Sequence, residues 1–305
     1  NMVLSKTFIA ELPADFAGGV IDIDLKSFPD ERNISTYISG AYNPSFHFNK
    51  NYLDYQGGKT DLLGFDDGTR EIPAISNIPL FAEIVGNPNS SKGERYKEIL
   101  RSFNPTLSAM ERSSLMDFGF GATLGNQKKL KKITIGYNVL FTYNNNTEFY
   151  QDVEYGRYGL SGDASVNEME SRVIQKGDMG VNNVLMSGMG GFALKTANSK
   201  FRFNVLHLQN GESSAGIFQY SSTDQGADFE AFQHNLSYSQ RSLTNLQLSG
   251  NHNLDSARWK LEWKLSPTFS TINDPDVRLT RYEYRGLGYA ISTETGFPER
   301  IWREL

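Results

Sequence analysis

The chain contains no cysteine, so neither a disulfide framework nor a thiolate metal site is available to it. Histidine is scarce as well. His47, His207, His234 and His252 are the only four, and no two stand at a metal-ligand spacing such as i, i+4. No metal and no cofactor are expected. A run of about 18 apolar residues is also missing, which excludes a transmembrane helix. It does not exclude the membrane, because barrel strands conceal their hydrophobicity by alternation. Nor is there a charge excess of one sign. Lys+Arg number 30 against Asp+Glu 35, a net of -5, and no basic run interleaves with aromatics, so a nucleic-acid partner is not expected.

Signatures of catalysis are lacking too. No G-x-S-x-G elbow occurs. The glycine run Gly188-Met189-Gly190-Gly191 is not followed by the Lys-Ser/Thr of a phosphate loop. Acid pairs are too plentiful to single out a glycosidase dyad. The reading is therefore of a protein that is not an enzyme. No signal peptide is visible at Asn1, and the sequence reads as part of a longer chain.

Strand-forming aromatics are what the chain does have, with Tyr at 15 and Phe at 20. In Trp259-Lys260-Leu261-Glu262-Trp263-Lys264-Leu265 apolar and charged residues alternate strictly. A strand sends successive side chains to opposite faces, so this segment has one oily and one charged face. Met116, Phe118, Phe120, Ala122 and Leu124 alternate with Asp117, Gly119, Gly121 and Thr123. Ile133, Ile135, Tyr137, Val139 and Phe141 repeat the pattern after a polar turn placed at 125–129. A second hairpin is expected from Val184 through Leu194 and over Thr196–Lys200 into Phe201–Val205. A third is expected from His234–Leu248 over Asn253–Ala257 into Trp259–Leu265, closed by Pro267. With Asn33–Phe46, about seven strands are expected.

Tight turns within pairs alternate with long polar connections near 47–112, 144–180, 210–230 and 268–305. This short–long rhythm suits an outer-membrane barrel with extracellular loops; a soluble sandwich turns every 8–12 residues. Two short helices are expected inside loops. Ser91-Lys92-Gly93-Glu94 reads as a capping box ahead of Tyr96, Ile99, Leu100 and Phe103. Phe297-Pro298-Glu299-Arg300-Ile301-Trp302 reads as a second start, with proline at the first helical position.

Phe16-Ala17-Gly18-Gly19-Val20-Ile21-Asp22-Ile23-Asp24-Leu25 resembles the closing strand of the plug domain of TonB-dependent outer-membrane receptors. Gly57-Gly58-Lys59-Thr60-Asp61 and Gly64-Phe65-Asp66-Asp67-Gly68-Thr69-Arg70 resemble a segment of such receptors in Bacteroidota. The stretch Thr295–Trp302 is similar to it in kind. The resemblance implies an all-β chain: a transmembrane antiparallel β-barrel of about 22 strands filled by a plug. Residues 1–28 would be the end of the plug, and 29–305 the first part of the barrel with its extracellular loops. It further implies a bacterial outer-membrane location and import of a bulky nutrient (metal chelate, oligosaccharide or peptide). The plug would gate, coupled to TonB through a segment that these residues do not contain. The alternative is a receptor-like barrel acting as a non-transporting scaffold in an outer-membrane complex. A third reading, a soluble all-β carbohydrate-active enzyme, requires the Trp259 face to be buried in protein. Partners implied are outer-membrane lipid, TonB, and a surface lipoprotein or other outer-membrane subunits.

On the barrel reading Phe118, Phe120, Trp259 and Trp263 face lipid, and Lys260, Glu262 and Lys264 line the lumen. The segment from Gly57 to Arg70 is read as a structural latch; Asp66-Asp67-Gly68-Thr69 suits a plain turn better than half of a calcium loop. Glu148, Tyr150, Asp152, Tyr155 and Tyr158, with Glu154 and Asp163 near them, are the ligand-binding candidates. Tyrosine and carboxylate together suit sugars or cationic peptides; an ordinary solvated loop is the alternative.

Overall fold

The structure is a computed structural model that describes residues 2–5, 20–23, 31–73, 75–163, 165–223, 229–254, 258–284, 286–292 and 298–305. The chain is all-β. A small sheet pairs β1 (Met2–Ser5) with β2 (Val20–Ile23). The Gly18-Gly19 stretch beside β2 lies outside the described residues, as do Thr295, Gly296 and Phe297. The main strands follow as β3 (Asn33–Ala41), β6 (Asp117–Leu130), β7 (Ile133–Leu160), β8 (Met169–Lys195), β9 (Ser199–Ser222), β10 (Phe229–Leu254), β11 (Trp259–Leu265) and β12 (Thr268–Tyr284). Between β3 and β6 lie β4 (Tyr52–Asp54), α1 (Phe81–Val85), α2 (Ser91–Ser102) and β5 (Met110–Arg112). β13 (Tyr289–Ile291) and β14 (Glu299–Glu304) come last. One antiparallel sheet runs β13-β12-β10-β9-β8-β7-β6-β3, with β11 also on β10 and β14 also on β12.

β11 and β12 both pair with β10, on either side of Pro267. They are two halves of one strand, so the expected closure at Pro267 becomes an interruption. Proline cannot donate to the ladder, yet its carbonyl still accepts from the Leu246 N–H at 3.0 Å.

Four other expectations are corrected. The connections near 144–180, 210–230 and 268–305 are mostly strand, because β7, β8, β9, β10 and β12 run on well past the alternating stretches. At 28 residues β7 spans about 90 Å. Its upper part is polar on both faces, so hydrogen bonding extends the ribbon without leaving a period-two hydrophobic signal. The turn placed at 125–129 lies beyond Leu130, which pairs with Ile133 around Lys131 and Lys132. The helix expected at Phe297–Trp302 is replaced by β14, where the open edge of β12 offers a ladder to Glu299–Glu304. The helix at Ser91 is present, but its cap is one residue earlier: the Ser90 hydroxyl accepts from the Gly93 N–H at 3.2 Å.

Register fixes which side chains share a face. Phe118, Phe120, Ala122 and Leu124 pair with Asn145, Tyr143, Phe141 and Val139. Trp259, Leu261, Trp263 and Leu265 pair with Leu254, His252, Gly250 and Leu248. Tracing the pairings strand by strand puts Phe118, Phe120, Trp259 and Trp263 on one face, the apolar face, and all four are exposed. Lys260, Glu262 and Lys264 lie on the other, polar face. Asn138, Gly191, Asn204 and Gln247 form one row of that face, with Asn204 Nδ2 donating to Gln247 Oε1 at 3.2 Å. A Cβ at Gly191 would stand 1.9 Å from Asn138 Oδ1 and 2.8 Å from Asn204 Oδ1. Gly191→Ala should therefore destabilise the folded protein by about 1–3 kcal/mol through overpacking. Adding Asn138→Ala should restore most of that in denaturant unfolding.

Candidate functional site

The connection from β3 to β6 is the one long segment that strand extension did not absorb. It forms a strap lying across the upper part of the apolar face. Tyr52, Leu53, Tyr55 and Ala109 of the strap pack with Phe149, Ala215 and Leu236 of the sheet to make a small core. The strap can lie this close because the sheet beneath it carries glycines. A Cβ at Gly180 would stand 2.1 Å from the Leu53 carbonyl oxygen, and one at Gly211 would stand 2.5 Å from Gly64 Cα.

The motif segment builds the centre of the strap. Thr60 leads into a 3-10 turn, Asp61–Leu63, which stops at Gly64 with φ +78°. A residue with a side chain is strained at that φ, and Gly64 also rests on Gly211. The Gly58 N–H donates to Asp61 Oδ2 at 3.0 Å, and the Lys59 N–H to Asp67 Oδ2 at 2.8 Å. Thr60 Oγ1 donates to the Phe65 carbonyl at 2.7 Å. Thr69 Oγ1 donates to Asp67 Oδ1 at 2.6 Å, and Gly68 turns the chain at φ +86°. The hydroxyl of Thr69, aided by the Lys59 and Thr69 amides, pushes the Asp67 carboxyl down to about 2. All of Asp67's interactions are thus local and shape the turn.

Arg70 closes the structure. It is 1% exposed. Its Nη2 lies 2.5 Å from Asp61 Oδ2 and its Nη1 2.8 Å from Asp66 Oδ1. Its Nε donates to the Tyr55 hydroxyl at 3.3 Å, and the guanidinium lies 4.2 Å from the Tyr238 ring centroid. Burial works against the charge, but hydrogen bonds and attraction to Asp61, with help from Asp66, hold Arg70 protonated above its ordinary value. The Asp66 N–H donates to Gln240 Oε1 at 2.8 Å, which ties the motif to β10.

A second buried ion cluster pins the far end of the strap and was not foreseen. Asp276 sits at φ +60° in a bulge of β12. It pairs with Arg278 at 2.8 Å and with Arg300 of β14. Arg278 Nη1 donates to the Thr106 carbonyl at 2.6 Å, and Arg300 Nη1 to the Asn104 carbonyl at 3.1 Å. Trp302 Nε1 donates to the Arg70 carbonyl at 2.8 Å, joining the two clusters. The signal available was Asp276-Val277-Arg278, since i and i+2 share a face of a strand.

The ligand candidates are in strand β7, not in a loop. Glu148, Tyr150 and Tyr155 share the polar face, opposite Val181, Met179 and Gln175. Tyr158 is on the other face with Gly156, where a Cβ would stand 2.4 Å from the Tyr158 ring. The Tyr150 hydroxyl donates to Glu148. Asp152 sits apart in a bulge at φ +52°, its N–H donating to Asp178 Oδ1 at 3.0 Å. Beside them on this face Tyr155 meets Phe218 edge-on at 5.7 Å, and the Arg281 guanidinium lies 4.4 Å from the Tyr220 centroid. Gln233 bridges Gln175 and Asn235. The wall is aromatic and rich in amides, a surface suited to hydroxyl- or amide-bearing ligands.

Among the described residues no cluster of His, Cys, Asp or Glu could hold a metal ion, and no helix is long and apolar enough to cross a membrane. No protein-family model matches the chain, and no curated protein and no solved structure is similar to it.

Arg70→Met should leave Asp61 and Asp66 half-buried without a counter-charge and loosen the strap by about 3–5 kcal/mol. The measurement is limited proteolysis across residues 56–71. Arg70→Met combined with Asp66→Asn should recover part of the resistance, because one stranded charge is then removed.

Proposed function

We propose that this chain is part of a large outer-membrane β-barrel of the TonB-dependent receptor kind, importing a bulky nutrient through a plugged lumen. One observation carries the membrane part of this reading. The apolar belt crosses the sheet diagonally to the strands. On β6 it covers Phe118–Leu124 and gives way to Asn126 and Lys128. On β10 the register partner of Phe118 is Gln240, and the belt begins only at Leu246 and runs to Leu254. The belt thus descends about six residues over four strand steps. That is about 20 Å along the strands against about 19 Å across them, or roughly 45°. Strands tilted 35–45° in a bilayer require this offset for a level hydrocarbon band. A soluble sandwich has no reason for it, and exposed apolar patches of this extent are rare on soluble monomers.

The polar face then lines the lumen, and the Tyr150–Tyr155 wall with Gln233 and Arg281 stands above the plug as the ligand-facing surface. No catalytic role is assigned to it. The strap is on the opposite face, so it does not close over the mouth. That placement favours one alternative as well: a receptor-like barrel whose outward strap serves a scaffold.

Bilayers containing brominated phosphatidylcholine test the membrane reading on the native full-length protein. Tryptophan emission should be quenched, and Trp259→Phe with Trp263→Phe should remove a measurable part of that quenching. Equal emission in brominated and ordinary lipid would overturn it. Nutrient uptake that stops when TonB is deleted supports transport; uptake indifferent to TonB supports the scaffold.

A further inference from the structure

The rows just above the belt on the apolar face are polar, and the strap covers them. Gln209 Nε2 donates to the Gly64 carbonyl at 2.5 Å, and the Tyr143 hydroxyl to the Leu62 carbonyl at 2.7 Å. Tyr143 is itself stacked on Phe120 at 5.1 Å and tilted against Phe118 at 5.9 Å. The 3-10 turn Asp61–Leu63 therefore sits directly on the upper rim of the belt. Its two leucines are exposed, Leu62 at 60% and Leu63 at 42%. Nearby Leu115 and Met116, where the strap rejoins β6, are exposed as well. Leu62 and Leu115 both line a cleft of about 350 Å³ between strap and sheet, together with polar Asp54, Arg112 and Asn182.

A turn whose backbone caps polar sheet rows, while its apolar side chains continue the belt outward, has the construction of a membrane-interface element. Lipid chains around Leu62 and Leu63 would remove their exposed apolar surface from water. Covering Gln209 and Tyr143 by strap backbone keeps those polar groups from meeting hydrocarbon unpaired. From this we propose that the Asp61–Leu63 turn is an interfacial anchor. Leu62 and Leu63 sit among lipid chains just beneath the headgroups, and the bilayer holds the strap against the outside of the wall. The proposal rests on the barrel reading and adds a lipid partner for the motif segment.

The 305 residues contain no cysteine, so single cysteines can be placed in the full-length protein once any outside them are replaced. An environment-sensitive fluorophore is attached at Leu62→Cys, at Leu63→Cys, at Val139→Cys in mid-belt and at Lys92→Cys on α2. Each variant is placed in phosphatidylcholine nanodiscs carrying spin labels near the headgroup or near the chain end. At Leu62 and Leu63 the expected result is blue-shifted emission, with about two-fold stronger quenching by the shallow label than by the deep one. Val139 should favour the deep label, and Lys92 should respond to neither. Quenching at Val139 with none at Leu62 or Leu63 would sink the anchor and leave the barrel standing. No quenching at any position, Val139 included, would remove the membrane reading and the anchor with it.

Discussion

Arg70 is the tie on which the arrangement of the strap depends. A guanidinium offers five donors in a fixed plane. Here that plane is shared among two carboxylates and a tyrosine hydroxyl, with a second aromatic ring beneath it. Because Asp61, Asp66 and Tyr55 come from different parts of the strap and Tyr238 comes from β10, one side chain fixes the relative position of three strap segments and the sheet. A lysine could not reproduce this, since its ammonium is a point charge without the fork. The glycines at 57, 58, 64 and 68 then follow as consequences. A Cβ at Gly57 would stand 2.0 Å from Asp61 Oδ2, and one at Gly58 2.5 Å from Asp67 Oδ1. The motif is dense in Gly and Asp because two carboxylates, Asp61 and Asp66, are brought inward around one cation while Asp67 shapes the turn beside them.

A buried ion cluster of this kind contributes geometry more than net stability, because desolvation offsets much of the attraction. Among the described residues the core under the strap is a small cluster of seven, with Phe46 and Ile217 against it. Two ion clusters, at Arg70 and at Asp276, compensate by specifying a single docking position. Trp302 connects them through the Arg70 carbonyl, so β14, the bulge in β12 and the motif form one continuous assembly.

The all-β character and antiparallel pairing were legible in the sequence wherever one face is apolar. Trp259–Leu265 and Phe118–Leu124 announce both strand and face. The Gly and Asp of 57–70 pointed to turns, and turns are present at Asp61–Gly64 and Asp66–Thr69. What escaped was the upper extent of β7 to β10. A ribbon with polar residues on both faces has no periodicity to read, and Tyr150–Tyr158 looked like loop for that reason. The strand β14 was hidden by Pro298, whose helix-start signal is local. The ladder that overrides it is offered by β12, which lies some twenty residues earlier. The face to which the strap docks could not be read at all, because it depends on register carried across several strands.

The length of these strands has a consequence for reach. On the barrel reading β8 continues from the upper rim of the belt, near Met186, up to Met169. That is roughly 55 Å of strand, or about 40 Å of height at a 45° tilt. The mouth would then open on a turret clear of the headgroups, and cargo would be met at that height rather than at the membrane surface. The strap, clasped to the turret's base, would brace a wall that has no bilayer to support it higher up.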